Sequence, residues 1–336
     1  MSARARAFAL GGAILVVAVV AGVLVGPVQL GVAKVLTWFG TLGRSAAGLS
    51  EQQRAILFEL RLPRVIVAGL VGASLAASGA SYQAVFRNPL ADPYLLGAAA
   101  GAGLGATLAV VYGPSGALEV TVPIAAFIGA LIGVGLAYGL GRSGVGGRSA
   151  TSLVLAGVAI ASFLTAVQTF LQQQRSDTLR QVYTWILGRL GTTGWDDVRL
   201  ALPPMLLALA TLWAVRRLFD VIEVGDLEAQ SLGLHVGRLR LIAVVAASLA
   251  TAAAVSVAGL IGFVGLIVPH TVRLLVGGSY RSVLPLSILF GASFLILVDL
   301  LARTAVAPGE IPIGVITALI GAPFFIVVLR RSGRTA

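Results

Sequence analysis

The arrangement of long apolar stretches is the feature that most constrains how this chain can fold. A helix needs about 20 mostly apolar residues to cross the hydrocarbon core of a bilayer. Stretches of about this length recur along the chain, separated by short polar, glycine-rich or proline-rich segments. Ten are found: 8–36, 62–86, 93–112, 119–140, 151–172, 197–217, 239–259, 261–276, 282–302 and 312–330, of which the eighth is short and rich in glycine. We therefore predict an all-α polytopic membrane protein with about ten transmembrane helices.

Composition agrees with a membrane protein and excludes several other classes. Only 11% of the 336 residues are charged and 58% are hydrophobic, whereas soluble domains carry about 25% charged residues. Cysteine is absent, which excludes disulfides, thiolate metal sites and iron–sulfur clusters. We interpret residues 1–336 as a single transmembrane domain.

The basic residues indicate an orientation rather than a nucleic-acid partner. They are scattered singly, without the dense, aromatic-interleaved runs of a nucleic-acid surface, so we expect no nucleic-acid binding. If both termini are cytoplasmic, 14 of the 24 basic residues but only 5 of the 13 acidic residues fall in cytoplasmic segments. This distribution follows the positive-inside rule and predicts cytoplasmic N and C termini.

Catalytic and metal-binding patterns are missing from the sequence. His235 and His270 lie far apart in the chain without carboxylates at ligand spacing, so we expect no metal site and no bound cofactor. Residues 141–149 lack the pattern of a phosphate-binding loop, so the chain has no visible means of hydrolysing ATP. An intramembrane enzyme is therefore disfavoured.

Asp299 is the one acidic residue deep in an apolar stretch, and Arg303 follows on the same helix face. The pair is interpreted either as a local ion pair or as part of a proton relay. A relay would suit an ion-coupled secondary transporter, although such proteins usually carry more ionisable groups within the membrane.

Glycines at a spacing of four predict close helix packing. Such residues let backbones approach within a bilayer. They occur as Gly97, Gly101 and Gly105, as Gly129 and Gly133, and as Gly135 and Gly139.

A polar segment at about 219–238 interrupts the apolar pattern. Residues 225–234 predict a short helix, with Asp226 as its N-cap and Gly233 as its stop. Because two turns are marginal in isolation, the helix either docks on a cytoplasmic partner or forms a surface connector.

Several motifs, in a fixed order, resemble one transporter family. They are Arg61-Leu62-Pro63-Arg64, Asn88-Pro89-Leu90-Ala91-Asp92-Pro93, Gly262-Phe263-Val264-Gly265-Leu266-Ile267-Val268-Pro269-His270, and Glu310-Ile311-Pro312-Ile313-Gly314. The sequence resembles the FecCD-type permeases, the membrane subunits of ABC importers for vitamin B12, haem and iron–siderophores. The resemblance covers about residues 60–330.

The resemblance implies a ten-helix permease in the bacterial cytoplasmic (inner) membrane that works as a homodimer. Its expected partners are a second copy of itself, two ATP-binding cassette subunits that use ATP and Mg²⁺, and a periplasmic or extracellular substrate-binding protein. The cargo would be an iron–siderophore, haem or cobalamin.

The resemblance also implies three groups of site residues. The ATPase-coupling group comprises Gly225, Asp226, Leu227, Glu228, Ala229, Leu232 and Gly233. The group expected to dock the binding protein comprises Arg61, Arg64 and Arg303, for which anchoring at the membrane interface is the alternative. The expected cytoplasmic gate comprises Asn88, Pro89, Leu90, Ser149, Ala150 and Thr151.

Overall fold

The computed structural model describes residues 3–41, 49–143, 150–188 and 190–332, and the regular secondary structure of these residues is entirely helical. The α-helices are α1 (Ala3–Leu24), α2 (Val32–Gly40), α3 (Glu51–Ala55), α4 (Leu62–Phe86), α5 (Ala98–Tyr112), α6 (Leu118–Ser143), α7 (Ala150–Gln174), α8 (Leu179–Ile186), α9 (Trp195–Val224), α10 (Asp226–Ser231), α11 (Val236–Ala258), α12 (Val264–Val276), α13 (Tyr280–Thr304) and α14 (Ile313–Ser332). A π-helix, Ile56–Arg61, joins α3 to α4.

Seven helical segments among the described residues are long and apolar enough to cross a membrane. They are α1, the continuous segment from α3 to α4, α6, α7, α9, α11 and α13. Three shorter apolar helices, α5, α12 and α14, coincide with the other three predicted stretches. The prediction of an all-helical polytopic chain is confirmed, while the number of ten crossings stays a prediction.

The first predicted stretch, 8–36, is not one continuous helix. Helix α1 ends at Leu24, and α2 begins only at Val32. Pro27 follows Gly26 in the break, and proline both lacks an N–H group and disfavours a helical conformation at the residue before it. Apolar composition alone does not reveal this interruption.

Two other predicted stretches begin with irregular backbone. Helix α5 starts after Gly97 (φ 79°) and α12 after Phe263 (φ 69°), so at 15 and 13 residues both are shorter than a bilayer core of about 30 Å requires. The segments before them are joined by Tyr94, whose hydroxyl donates to the Ile261 carbonyl at 3.0 Å and accepts from the Ile261 N–H at 3.1 Å. These bonds satisfy backbone groups that the absent helical turns leave unpaired.

Helix α4 lies at the centre of the described structure, packed against α9, α11, α12 and α13. A Cβ atom on Gly72 would overlap the carbonyl oxygen of Gly291 in α13, and one on Gly79 would overlap that of Gly265 in α12. Ser78 Oγ donates to the carbonyl of Ala247 in α11 at 2.9 Å. Small residues and interhelical hydrogen bonds therefore hold the core together, as expected where lipid removes the hydrophobic drive for helix association.

The predicted glycine packing is confirmed where α5 and its N-cap lie against Gly129 and Gly133 of α6. A Cβ on Gly101 would overlap the Gly129 carbonyl oxygen, and one on Gly133 would lie 2.7 Å from the Gly97 carbonyl oxygen. Gly135 and Gly139 do not take part, because a Cβ at either position meets no atom within 4 Å.

Candidate functional site

A buried charge cluster lies at the end of the molecule where α4 begins. Arg64 Nε donates to the two carboxylate oxygens of Asp299 at 2.9 and 3.1 Å, which joins α4 to α13. Its Nη1 and Nη2 atoms donate to Glu310 Oε1 and Oε2 at 2.7 and 2.9 Å. The planar guanidinium suits this arrangement because it can bind a carboxylate through two parallel hydrogen bonds. The Arg64 bond lowers the pKa of Glu310, so the carboxylate is charged at neutral pH.

The other two predicted docking residues bind backbone carbonyls at the C-terminal part of α1. Arg61 Nη1 donates to the carbonyls of Val23 and Leu24 at 3.1 and 2.9 Å. Arg303 donates to the Gly22 carbonyl. These arginines satisfy carbonyls near the point where the helix stops.

The three arginines are thus turned inward in this structure. Arg61, Arg64 and Arg303 are only 4%, 8% and 2% exposed, so none offers its guanidinium as a surface contact of this chain. Direct pairing with a binding protein stays a prediction, and it requires these internal bonds to be exchanged.

Asp299 has two cationic neighbours. The predicted pair with Arg303 is present, with Arg303 Nε 3.6 Å from Asp299 Oδ2, but the bonds from Arg64 are shorter. Arg64 was missed as the main partner because it lies 235 positions away in the sequence. A carboxylate held between two guanidinium groups is suited to joining helices rather than to relaying protons.

The predicted coupling helix is present as α10, at the opposite end of the molecule. Its N-cap is Gly225 (φ 143°), where a Cβ would overlap the Glu228 carboxylate. The prediction that Asp226 is the N-cap is therefore wrong. Asp226 is instead the first helical residue, and its carboxylate bonds to other helices.

The predicted stop at Gly233 is confirmed. Gly233 is left-handed (φ 82°) and its N–H donates to the Gln230 carbonyl at 2.9 Å, while the Leu234 N–H donates to the Ala229 carbonyl at 3.0 Å. This pair of bonds is the Schellman motif. The helix is thereby held at a fixed length of six residues.

The surface of α10 divides into a buried and an exposed face. Ala229 is fully buried, whereas Leu227 and Leu232 are 77% and 73% exposed. The polar connector thus carries two large apolar side chains, one in α10 and one at its C-cap, that the described chain leaves uncovered.

Asp226 connects α10 with two transmembrane segments. Its Oδ1 atom accepts from Arg240 Nη2 of α11 at 2.9 Å and lies 3.3 Å from Arg87 Nη2, at the end of α4. Neither arginine was identified from the sequence, because only the fold brings them together. A displacement of α10 would therefore act directly on the ends of α4 and α11.

The predicted gate residues fall in two places. Asn88, Pro89 and Leu90 form an exposed turn directly after Arg87, and Asn88 Oδ1 accepts from the Leu90 N–H at 2.9 Å. Ala150 and Thr151 are the first residues of α7, while Ser149 lies outside the described residues. The turn is thus attached to the residue that pairs with Asp226, but its role as a gate stays a prediction.

A second polar junction at the α10 end was missed by the sequence analysis. Asp220, near the end of α9, accepts from Tyr280 N at 2.6 Å and from Ser279 Oγ at 3.0 Å. These bonds attach α9 to the start of α13. In the sequence, Asp220 lies where an apolar stretch gives way to a polar segment. No motif or residue spacing there indicates that its carboxylate would bond to α13 rather than face solvent.

Within the described ranges, no three His, Cys, Asp or Glu side chains are grouped so that they could hold a metal ion. His270 instead packs edge-on against Phe324, with ring centroids 5.8 Å apart. Aromatic rings commonly pack in this edge-to-face arrangement, so the contact identifies His270 as a packing residue.

Comparison with known proteins gives a consistent assignment. The model of the FecCD transport family matches residues 14–331. The chain is 44% identical to the cobalamin import system permease protein BtuC of Halobacterium salinarum over 84% of this chain and 75% of that protein. It is 36% identical to the iron(3+)-hydroxamate import system permease protein FhuB of Bacillus subtilis, over 85% of this chain and 74% of that protein.

A solved structure is similar along almost the whole chain. A metal-chelate type ABC transporter in an inward-facing conformation matches with a TM-score of 0.83 and 29% identity, covering 96% of this chain and 97% of that one. The family model, the relatives and the fold agree, and we conclude that this chain belongs to the FecCD transport family.

Proposed function

We propose that this chain is the permease subunit of an ATP-driven importer for a metal chelate: an iron–siderophore, haem or cobalamin. The observation that carries the proposal is α10, an exposed helix tied through Asp226 to two transmembrane segments. Relatives named as cobalamin and iron-hydroxamate import permeases support this cargo class. ATP and Mg²⁺ would be used by separate ATP-binding cassette subunits, and this chain would be neither an enzyme nor the holder of a cofactor.

The proposed arrangement is a ten-span domain over residues 1–336 in the bacterial inner membrane, with both termini cytoplasmic. The charge distribution supports this orientation. The coupling residues of α10 would then contact the ATPase subunits through Leu227 and Leu232.

A homodimer is proposed because α7 and α14 present apolar faces that the described chain leaves uncovered. Leu155 and Phe163 of α7 and Leu319 of α14 are exposed. In a membrane these faces could contact lipid, and pairing with a second copy would place the translocation path between them.

The end of the molecule that holds the buried charge cluster around Arg64 is proposed as the end of the permease that contacts the binding protein. Glu310 is the exposed member of the cluster, with a side chain 40% accessible, and it binds Arg64 bidentately. A carboxylate on the binding protein would compete with Glu310 for Arg64 and so gain access to the buried arginines. Charge pairs of this type set the orientation of docking more than its affinity.

The alternative function, an ion-coupled secondary transporter, gains no support from Asp299. Its carboxylate is bonded to Arg64 and paired with Arg303, so it is not available as a mobile proton carrier.

Uptake in proteoliposomes tests the proposal. The chain would be reconstituted with its ATPase subunit and binding protein, and the accumulation of cobalamin, haem and several ferric siderophores would be measured. Each measurement would be made with ATP on one side of the membrane, with ATP on the other side, without ATP, and with an imposed proton gradient. We expect accumulation that requires ATP on the ATPase side and the binding protein on the other. Accumulation by the chain alone under a proton gradient would contradict the importer and establish the secondary transporter.

A further inference from the structure

A basic cavity lies beside α10, at the end of the molecule where α6 ends and α7 and α11 begin. Its volume is about 600 Å³. Three arginines line it, Arg142 from α6 and Arg238 and Arg240 from α11, and none of its described lining side chains is a carboxylate. The cavity thus concentrates positive charge at the α10 end of the helix bundle.

The charge of two of these arginines is not compensated by the described part of the chain. Arg240 is paired with Asp226. Arg142 packs over the ring of Tyr138, with its guanidinium carbon 5.6 Å from the ring centroid, and Arg238 makes no ion pair with any described residue. Both are exposed, so their charges can bind an anion without breaking an internal bond.

The inner wall of the cavity is apolar. Val85 of α4, Leu153 of α7 and Val244 of α11 line it together with Leu241. A site for a free, fully hydrated anion has no need of such a wall. Positive charge beside apolar surface suits a ligand with an anionic group and a hydrocarbon part.

The apolar wall continues along the outside of the bundle. Leu241 also lines a groove of about 300 Å³ between α9 and α11, together with Leu207 and Val245. The side chains of Leu241, Leu207 and Val245 are all exposed. An elongated apolar ligand could therefore run from the cavity along α11, in the direction in which the helix crosses the membrane.

We propose that this cavity binds the phosphate headgroup of an anionic phospholipid and that an acyl chain of the lipid lies in the groove between α9 and α11. Arg142 and Arg238 bind the phosphate, and Leu241 is the point at which headgroup and chain sites meet. Gln230 near the end of α10 and Gly233 and Leu234 after it also line the cavity, so the lipid contacts the end of α10 and the segment that follows it. The site depends on the chain being a membrane protein and not on the cargo or the ATPase.

A protein partner is a less suitable occupant. Leu227 of α10 and Leu232 at its C-cap, the two exposed leucines, are not among the cavity's lining residues. Of the ATPase-coupling group only Gly233 lines the cavity, so the two surfaces meet at that residue and share no side chain.

Native mass spectrometry of the purified full-length chain in neutral detergent tests the site. The chain would be titrated with short-chain phosphatidylglycerol and, separately, with phosphatidylcholine of the same chain length. We expect phosphatidylglycerol to bind at least tenfold more tightly, because each basic residue near an anionic headgroup contributes measurably. Inorganic phosphate at the same concentration should not displace the lipid, because it cannot use the apolar groove.

Two variants test separately the positive charge of the cavity and its open volume. Arg142→Gln combined with Arg238→Gln should weaken phosphatidylglycerol binding roughly tenfold or more. Gly237→Phe keeps all three arginines but fills the cavity, and a Cβ at Gly237 meets no atom within 4 Å, so the chain can accommodate it. It should also weaken binding. Arg217→Gln, which removes an exposed arginine from α9 outside the cavity, is the matched control and should bind like the wild type.

The thermal melting temperature of each variant without added lipid checks that it is folded, and affinities are compared among folded variants. Equal phosphatidylglycerol affinity in the wild type, the double variant and Gly237→Phe would overturn the proposal. Equal affinity for the two lipids, or complete displacement by inorganic phosphate, would do so as well. If the double variant lost only the binding of a co-expressed ATPase subunit, the cavity would belong to a protein partner instead.

Discussion

Arg64 joins three parts of the chain through two carboxylates. It extends from α4 to Asp299 of α13 and to Glu310 in the connection before α14. Removing ions from water is costly, and a buried arrangement is stable only when its hydrogen bonds are made, as they are for Arg64. Lysine could not replace it, because an ammonium group lacks the planar fork that binds Glu310 through two nitrogens.

Neutralising Asp299 should destabilise the chain strongly. Asp299→Asn leaves Arg303 buried with no carboxylate partner on its own helix, and removing one member of a buried pair typically costs about 3–5 kcal/mol. The measurement is thermal unfolding in detergent. Asp196→Asn is the control, because it breaks an exposed pair with Arg199 and should change stability by less than about 1 kcal/mol. Equal melting temperatures for the two variants would contradict a structural role for the buried cluster.

Asp92 makes the stability of the folded chain depend on pH. It lies in the irregular segment between α4 and α5, where burial raises its pKa to about 6, and a hydrogen bond from the Tyr94 N–H at 2.8 Å offsets only part of this rise. The folded chain therefore holds a proton that the unfolded chain releases near pH 4. The resulting stabilisation is complete below about pH 4 and is lost as the pH rises through about 6.

Asp92→Asn removes this dependence while keeping an oxygen that can accept from the Tyr94 N–H. We expect the variant to be more stable than the wild type at pH 7.5, by about 1–3 kcal/mol, and equal to it near pH 4. Thermal unfolding across this pH range measures the difference. A stability difference that did not vary with pH would contradict a raised pKa of Asp92 in the folded chain.

Helix α5 illustrates how a short element is held in place by its backbone rather than by large side chains. It has no charged residue, and its contact with α6 depends on Gly101 and Gly129 lying against each other. In lipid, such close approach is a main source of helix association.

Gly101→Ala should destabilise this contact, since the new Cβ would overlap a backbone carbonyl that has little room to move. Overpacking of this type costs about 1–3 kcal/mol. Gly135→Ala is a matched control in α6, where the Cβ meets open space, and it should be neutral or stabilising by up to about 1 kcal/mol because alanine favours a helix. Thermal unfolding of the two variants distinguishes them, and a loss of stability at both positions would contradict the specific contact.

The sequence predicts elements that depend on local composition and misses those that depend on the fold. The apolar stretches locate the long helices, and Gly233 correctly marks the end of α10, because helix length and a left-handed stop are properties of neighbouring residues. The pairing of Arg64 with Glu310 spans 246 positions, and no periodicity encodes it. The late start of α5 is likewise invisible, because residues 93–97 are as apolar as a helix yet are held in irregular form by Tyr94 and Ile261.

Across the whole molecule, α4 connects the two candidate sites. Arg64 lies in its first turn and Arg87 directly after its last, about 35 Å apart along a helix of this length. Since α4 is buried along most of its length against four other helices, a displacement at one end is passed to the packed core rather than absorbed by solvent-exposed turns. The geometry suits a subunit whose ATPase and binding-protein contacts lie on opposite sides of a membrane.

Asp226→Asn should uncouple ATP hydrolysis from transport in the reconstituted importer. The substitution keeps the shape of the side chain but removes the charge that holds Arg240 and Arg87, so α10 can bind the ATPase without moving α4 and α11. We expect ATP hydrolysis within about twofold of the wild type and cargo uptake per ATP reduced roughly tenfold, equivalent to about 1.4 kcal/mol of lost coupling. Simultaneous measurement of hydrolysis and uptake in proteoliposomes gives this ratio.

Ser231→Ala is the control for that measurement, because Ser231 lies on the same helix outside the coupling group and its hydroxyl donates to the Glu228 carbonyl within α10, so its uptake per ATP should be unchanged. The charge exchange Asp226→Arg with Arg240→Asp restores one of the two ion pairs in reverse, and it should recover part of the lost uptake.

If ATP hydrolysis and cargo uptake fell in parallel in Asp226→Asn, the uptake per ATP would be unchanged. The substitution would then have impaired the binding of α10 to the ATPase subunits, because ATP hydrolysis itself would be lost. An unchanged ratio with ATP hydrolysis retained would mean that force reaches the transmembrane helices through the packing of Ala229 alone, since that side chain is the fully buried contact of α10 with the rest of the chain.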